Sequence, residues 1–303
     1  MTRLKLTGLV AATHTPFHDD GSLNLDIVAK QAEHLQRNGI NTAFIGGSTG
    51  ESHSLNVDER RQLTTRWMEV THGSDMKVVV HVGSNCLVDA AALAKHAQQS
   101  KACAVAALSP SYFKPRSVEV LVDCAAQVAS AAPDTPFYFY DIPVLTGVSL
   151  PMPEFLELGR KAIPNLAGLK FTNPDLMAFQ FCLRAGDGSF DVPWGCDEFL
   201  LAAVALGATG AVGSTYNFAA PIYHRVLKAF AAGDLATARE EQFRAVQMIQ
   251  IIVRYGFIGS TKAIMKMLGV DVGPGRLPNP KMSAEATKSL HADLEKIGFF
   301  GWI

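Results

Sequence analysis

Residues 166–172 read Leu-Ala-Gly-Leu-Lys-Phe-Thr, an apolar run with one charge set inside it. The run is nearly continuous rather than alternating, which suits a strand covered on both faces, as in a parallel sheet. Seven further β-like runs recur along the chain: Leu6–Thr13, Thr42–Gly47, Lys77–Gly83, Ala104–Pro110, Pro136–Pro143, Phe190–Gly195 and Gly210–Thr215. Helically spaced segments lie between most of them. Asn24–Asn38 carries one stripe made by Leu25, Val28, Ala29, Ala32 and Leu35. Asp58–Val70, Val88–Gln98, Val118–Ala131, Met152–Lys161 and Glu198–Leu206 behave similarly, with Asp89, Ser117 and Asp197 near helix starts as candidate caps. Eight strands alternating with helices predict an α/β protein, a (β/α)8 TIM barrel.

Past the eighth run the pattern changes. Pro221–Ala231, Leu235–Val253, Thr261–Met267 and Ala284–Lys296 are helical with no β-run between them, and Gly269–Pro280 is a glycine- and proline-rich loop. The expectation is a barrel over residues 1–220 that carries the active site. A C-terminal helical extension, 221–303, packs on it.

Composition narrows the function. The 303 residues hold 27 Lys+Arg against 28 Asp+Glu, so no strong field is available for nucleic acid or an anionic membrane. Charged residues are 18% of the chain, which excludes bulk disorder. Five scattered cysteines without a C-x-x-C pair argue against a disulfide framework or zinc knuckle, and for a reducing compartment. Leu9–Ala12 is too short for a signal peptide, and Phe199–Gly213, broken by Gly207, Thr209 and Gly210, is too short for the ~20 residues a bilayer requires. A soluble cytoplasmic protein acting on a small molecule is expected.

In a barrel of this kind the chemistry lies at the C-terminal strand ends. Those ends carry Thr13, the loop Gly46–Glu51, Tyr138 and Tyr140, Lys170 and Thr172, Asp197 and Glu198, and Ser214, Thr215 and Tyr216. Lys170 is the only lysine inside an apolar run, since Lys77 merely opens its own. Period two sets Gly168, Lys170 and Thr172 on one face, toward the barrel interior, and Leu169 and Phe171 on the other. A desolvated amine holds its proton less tightly, and the neutral form is the nucleophile of Schiff-base chemistry. A lysine paired with a carboxylate or snorkelling at a strand end is the competing reading. Tyr140 is a candidate proton relay, or one of four consecutive core aromatics.

The glycine-rich loop offers N–H groups and the Ser48 and Thr49 hydroxyls to an anion. The nearest basic residue after it, histidine apart, is Arg60, so a carboxylate fits better than a phosphate. Asp197-Glu198 could bind hydroxyls, or simply sit at a helix N-terminus. No histidine set of metal-ligand spacing accompanies them. His14, His18, His53 and His81 read as satisfied structural histidines, and no Walker A or G-x-G-x-x-G is present.

Four segments resemble the pyruvate-dependent class I aldolases, the dihydrodipicolinate synthase / N-acetylneuraminate lyase family. They are Gly47-Ser48-Thr49-Gly50-Glu51, Tyr140-Asp141-Ile142-Pro143, Gly168-Leu169-Lys170-Phe171-Thr172 and Gly207–Ser214, and the likeness spans essentially the whole chain. Gly195-Cys196-Asp197-Glu198, Gly213–Asn217, Thr261–Met265 and Gly273–Pro278 resemble the neuraminate lyase branch. Leu145 stands where dihydrodipicolinate synthases are expected to carry an arginine, and Asp141 where Asn or His is more usual.

The resemblance implies reversible cleavage of N-acetylneuraminate, a sialic acid, to pyruvate and N-acetylmannosamine. Lys170 would form the Schiff base, and Tyr140 would move protons with help from Thr49 and from Tyr112, which reaches a neighbouring subunit's site. Ser48 and Thr49 would hold the carboxylate. Thr172, Gly195, Asp197, Glu198 and Ser214 would line the sugar end, with Phe257 or Ile258 at its rim. It further implies no metal or organic cofactor and a homotetramer built as a dimer of dimers. The alternatives are a 2-keto-3-deoxy sugar acid aldolase, a dihydrodipicolinate synthase, or a non-catalytic sugar-acid binder on the same fold.

Overall fold

The structure, a computed structural model, describes residues 4–303. Among these, seven strands form one sheet: β1 (Gly8–Ala12), β2 (Thr42–Ile45), β3 (Lys77–His81), β4 (Ala104–Leu108), β5 (Phe137–Asp141), β6 (Leu166–Phe171) and β7 (Gly210–Gly213). All neighbours are parallel, in the order β6-β5-β4-β3-β2-β1-β7. The helices are α1 (Ile27–Arg37), α2 (Val57–Thr71), α3 (Leu87–Gln99), α4 (Val118–Ala129), α5 (Pro143–Thr146), α6 (Met152–Ala162), α7 (Leu176–Gly188), α8 (Leu200–Ala205), α9 (Tyr216–Ala231), α10 (Leu235–Arg254), α11 (Phe257–Met267) and α12 (Ala284–Lys296).

One expected strand is not a regular strand. Residues 190–195 make only single bridges, Asp191 and Trp194 reaching β6 and Trp194 also reaching β7. The spacing of their hydrogen bonds explains this. The Asp191 N–H donates to the Ala167 carbonyl and the Gly195 N–H to the Phe171 carbonyl. The donor midway between them belongs to Pro193, which has no N–H to give. On the other side the Trp194 N–H donates to Gly210 and its carbonyl accepts from Val212. The segment thus closes the barrel between β6 and β7, so the eightfold architecture holds with one interrupted member.

Alternation along the strands divides the core as period two requires. Val10, Phe44, Val79, Ala106, Tyr138, Tyr140 and Val212 belong to an inner cluster inside the barrel. Leu9, Ala43, Val80, Val105, Phe139, Leu169 and Phe171 belong to the larger outer cluster between sheet and helices. Tyr138 shares the inner face with Tyr140 but sits lower. Its hydroxyl donates to Asp191 Oδ2 at 2.8 Å, and the same oxygen accepts from the Leu6 N–H at 2.6 Å. It therefore plugs the floor and is not a group at the mouth.

Helix α7 has no counterpart in the sequence reading. Met177 and Phe181 are exposed while Phe179 and Cys182 are buried, so apolar residues surround the helix and erase its stripe. Asp175 caps it, accepting from the Ala178 N–H at 2.9 Å. The expected junction at 220/221 falls inside α9. Pro221 sits within that helix, and Ala219 two residues before it leaves helical angles, so a short first turn and the longer helix meet at a kink there. The extension after α9 is bound closely to the barrel: Gln242 of α10 hydrogen-bonds both the Asp197 carbonyl and the Leu201 N–H.

Candidate active site

Lys170, near the end of β6, is buried at 4% exposure. Its Nζ lies 4.0 Å from the ring centre of Tyr140 and 4.3 Å from that of Phe44. Among the described residues it makes no ion pair within 4 Å. The paired-lysine reading therefore falls away, since the amine is covered by two aromatic rings from β5 and β2.

Four hydroxyls from three strand ends meet in two pairs, one of which includes Tyr140, whose ring lies against the amine. The Gly46–Glu51 loop is a tight turn, with the Glu51 N–H donating to the Ser48 carbonyl and the Ser52 N–H to the Gly47 carbonyl. That turn sets Ser48 Oγ 3.3 Å from the Tyr140 hydroxyl and Thr49 Oγ1 2.6 Å from Ser214 Oγ. The sequence left open whether Tyr140 is only a core aromatic; its ring is core and its hydroxyl belongs to this cluster.

Thr172, one residue past β6, faces Gly195 so closely that a Cβ on Gly195 would lie 2.0 Å from Thr172 Oγ1. That oxygen is buried with no hydrogen-bond partner. Asp197 and Glu198 do open a helical turn, the 3-10 turn Asp197–Phe199 that runs into α8, but the Asp197 carboxylate caps no N–H there and crosses to Thr215, accepting from its N–H at 2.9 Å and its hydroxyl at 2.6 Å. Burial pushes its pKa up to about 6, against those two hydrogen bonds. Glu198 beside it is half-buried.

Tyr112 is not in this cluster. It is 78% exposed on the segment after β4, beside Phe113. Phe257 and Ile258 begin α11 and are half-buried. No group of three or more His, Cys, Asp or Glu able to hold a metal occurs among the described residues. A cleft of about 630 Å³ between Phe17–Ile27 and the extension contains none of the Lys170 neighbours.

Two braces behind the loop were not foreseen. His81 of β3 donates from Nδ1 to the Gly46 carbonyl at 2.9 Å, while the Arg60 guanidinium holds the carbonyls of His81 and Gly83. Burial, with Arg60 adding to it, keeps the His81 imidazole far below its ordinary pKa. Neither His14 nor His81 is fully satisfied, because His14 Nδ1 and His81 Nε2 are buried without partners. The second brace ties Glu51 to Lys262 in α11. The residues were visible in the sequence; their pairing across 211 positions was not.

Asp141 ends β5 with its side chain buried and one long hydrogen bond, 3.3 Å, from Asn173 Nδ2. Burial raises its pKa from 3.8 to about 6. The folded state then binds this proton more tightly than the unfolded state. The resulting stability is present below about pH 4 and is lost as pH climbs through about 6. Asp141→Asn removes the loss. The variant should gain on the wild type between those pH values and keep about 3 kcal/mol at neutral pH. Urea denaturation at both pH extremes checks this; equal wild-type and variant stabilities at neutral pH would contradict it.

A (β/α)8 barrel with an amine buried against two aromatic rings and paired hydroxyls at three strand ends defines a lysine-bearing barrel of the aldolase kind. Residues 5–297 match the dihydrodipicolinate synthetase family, and the chain belongs to it. It is 39% identical to rat N-acetylneuraminate lyase over 302 residues, covering 98% of this chain and 94% of that one. The human N-acetylneuraminate lyase is 40% identical with the same coverage. Among solved structures, the Proteus mirabilis N-acetylneuraminate lyase superposes with a TM-score of 0.95 at 38% identity, covering 98% of this chain and 100% of that one. The native N-acetylneuraminate lyase of Aliivibrio salmonicida also gives 0.95, at 40% identity and 98% coverage of both chains.

Proposed function

We propose that the protein is a class I aldolase that cleaves N-acetylneuraminate reversibly to pyruvate and N-acetylmannosamine. One observation carries the reading: the Lys170 amine sits under the Tyr140 and Phe44 rings, with the Tyr140 hydroxyl 3.3 Å from Ser48 Oγ. The near-full-length similarity to lyases acting on this sugar supplies the substrate.

Lys170 attacks the C2 ketone of the open-chain sugar acid, and water leaves as the iminium forms. The iminium accepts the electron pair of the C3–C4 bond as the C4 hydroxyl gives up its proton, releasing the aldehyde of N-acetylmannosamine. The remaining enamine takes a proton at C3, and water hydrolyses the iminium to free pyruvate and the amine. Tyr140 moves the C4 proton, with the Thr49 hydroxyl and the Tyr112 of a neighbouring subunit assisting. Ser48 and Thr49 hold the carboxylate. Thr172, Gly195, Asp197, Glu198 and Ser214 meet the sugar end. The lysine is itself the electron sink, so no metal or organic cofactor is required.

We further infer a cytoplasmic homotetramer. Five unpaired cysteines support a reducing compartment. Exposed Tyr112, Phe113, Val144 and Leu145 support an interface on that side of the barrel. Among the described residues no helix is long and apolar enough to cross a membrane.

Steady-state pyruvate release from N-acetylneuraminate, set against condensation of pyruvate with aspartate semialdehyde, tests the assignment. Cleavage of the sugar acid should be preferred; preference for the semialdehyde would overturn it. Glu198→Ala should raise KM more than it lowers kcat, because a hydroxyl contact to the sugar is made before and during bond cleavage. A fall in kcat at constant KM would contradict that role.

A further inference from the structure

Three described non-glycine residues have positive φ: Glu51, Lys101 and Asp187. Lys101, on a turn, and Asp187, in the non-helical end of α7, are exposed, whereas Glu51 is buried, at φ 55 and ψ 38. A buried glutamate adopts this left-handed backbone only where its surroundings impose it.

The surroundings come from the C-terminal extension. Glu51 Oε1 lies 2.8 Å from Lys262 Nζ of α11, and both side chains are fully buried. Glu51 Oε2 accepts from the Arg276 N–H at 2.8 Å and from Asn279 Nδ2 at 3.1 Å. Lys262 also donates to the Thr15 carbonyl at 2.9 Å and the Pro274 carbonyl at 2.8 Å, and the Thr15 hydroxyl donates to the Gly50 carbonyl at 2.6 Å. A few residues on, the Arg276 guanidinium grips both Glu59 oxygens and the Ser54 carbonyl. The turn carrying Ser48 and Thr49 is therefore held from behind at its last residue, by groups about 210 to 230 positions away in sequence.

We propose that Glu51 and Lys262 are a positioning pair for the reaction. Through them the extension fixes the Gly46–Glu51 turn so that Ser48 and Thr49 meet the substrate carboxylate and Ser48 stays in reach of Tyr140. Neither residue touches the reacting atoms. The inference rests on the role given above to Ser48, Thr49 and Lys170.

The test separates binding from the amount of working enzyme. Borohydride trapping of Lys170 is measured against pyruvate concentration in the wild type, in Lys262→Met and in Glu51→Gln/Lys262→Met. The double variant leaves no lone buried charge and carries the test if the single one does not fold. A pair that only stabilises the fold lowers the active fraction and leaves half-saturating pyruvate unchanged. A positioning pair raises half-saturating pyruvate and the KM for N-acetylneuraminate together, by about tenfold, with the trapping rate at saturation much less affected. Unchanged half-saturation in the folded variants, with normal wild-type trapping, overturns this inference alone. Absence of a wild-type adduct overturns the aldolase reading and this inference with it.

Discussion

Lys170→Ala should leave a folded barrel without measurable cleavage. The nucleophile and the electron sink are the same nitrogen, so its removal takes away the covalent route and not one contribution to it. A loss of at least about 10^4-fold in kcat is expected. The fold should survive because, among the described residues, Lys170 makes no ion pair whose breakage would strand a buried charge. What is lost is packing of its stem against Phe44 and Tyr140, about 1–2 kcal/mol, partly offset because an amine need no longer be buried. Pyruvate formation and a thermal melt together decide this. A folded variant with near-wild-type turnover would sink the mechanism, and an unfolded one would show that the lysine has a structural role not evident in its contacts.

A large stability effect should come from Gly168, two residues before the lysine. A Cβ there would sit 1.7 Å from the Asp191 carbonyl oxygen. That oxygen accepts from the Leu169 N–H at 3.0 Å, and the Asp191 N–H donates to Ala167 at 3.0 Å. The clash is with backbone, and backbone at the point where the barrel closes. Moving it breaks these bonds and disturbs Asp191, which holds the Leu6 N–H and the Tyr138 hydroxyl at the barrel floor. Gly168→Ala should cost about 3 kcal/mol or more. Gly301→Ala is the control, since a Cβ there meets nothing within 4 Å, and it should change stability by less than about 0.5 kcal/mol. Denaturant midpoints for the two variants measure the contrast. A cost for Gly168→Ala below about 1 kcal/mol would mean that the closure yields without breaking.

The barrel was legible because its strands are short apolar runs and its helices mostly carry one stripe. Legibility failed where those signals are absent. Helix α7 exposes Met177 and Phe181, so its periodicity is blurred. The interruption at 190–195 follows from Pro193, yet a single proline in an apolar run does not reveal which donor is missing. Lys170 stood out since a charge inside a buried run requires an explanation. The sequence places Tyr138 at the mouth with Tyr140, because period two fixes the face and not the depth. The role of Asp197 in holding Thr215, and of Lys262 in holding Glu51, depends on contacts made only after the chain closes on itself. No local pattern encodes such pairs.

The most direct test of the account is sodium borohydride reduction of the wild-type protein with pyruvate, followed by peptide mass spectrometry. The account predicts one reduced pyruvyl adduct, on the peptide that contains Lys170. A folded protein without an adduct, or with one on Lys262 or another lysine instead, would contradict it.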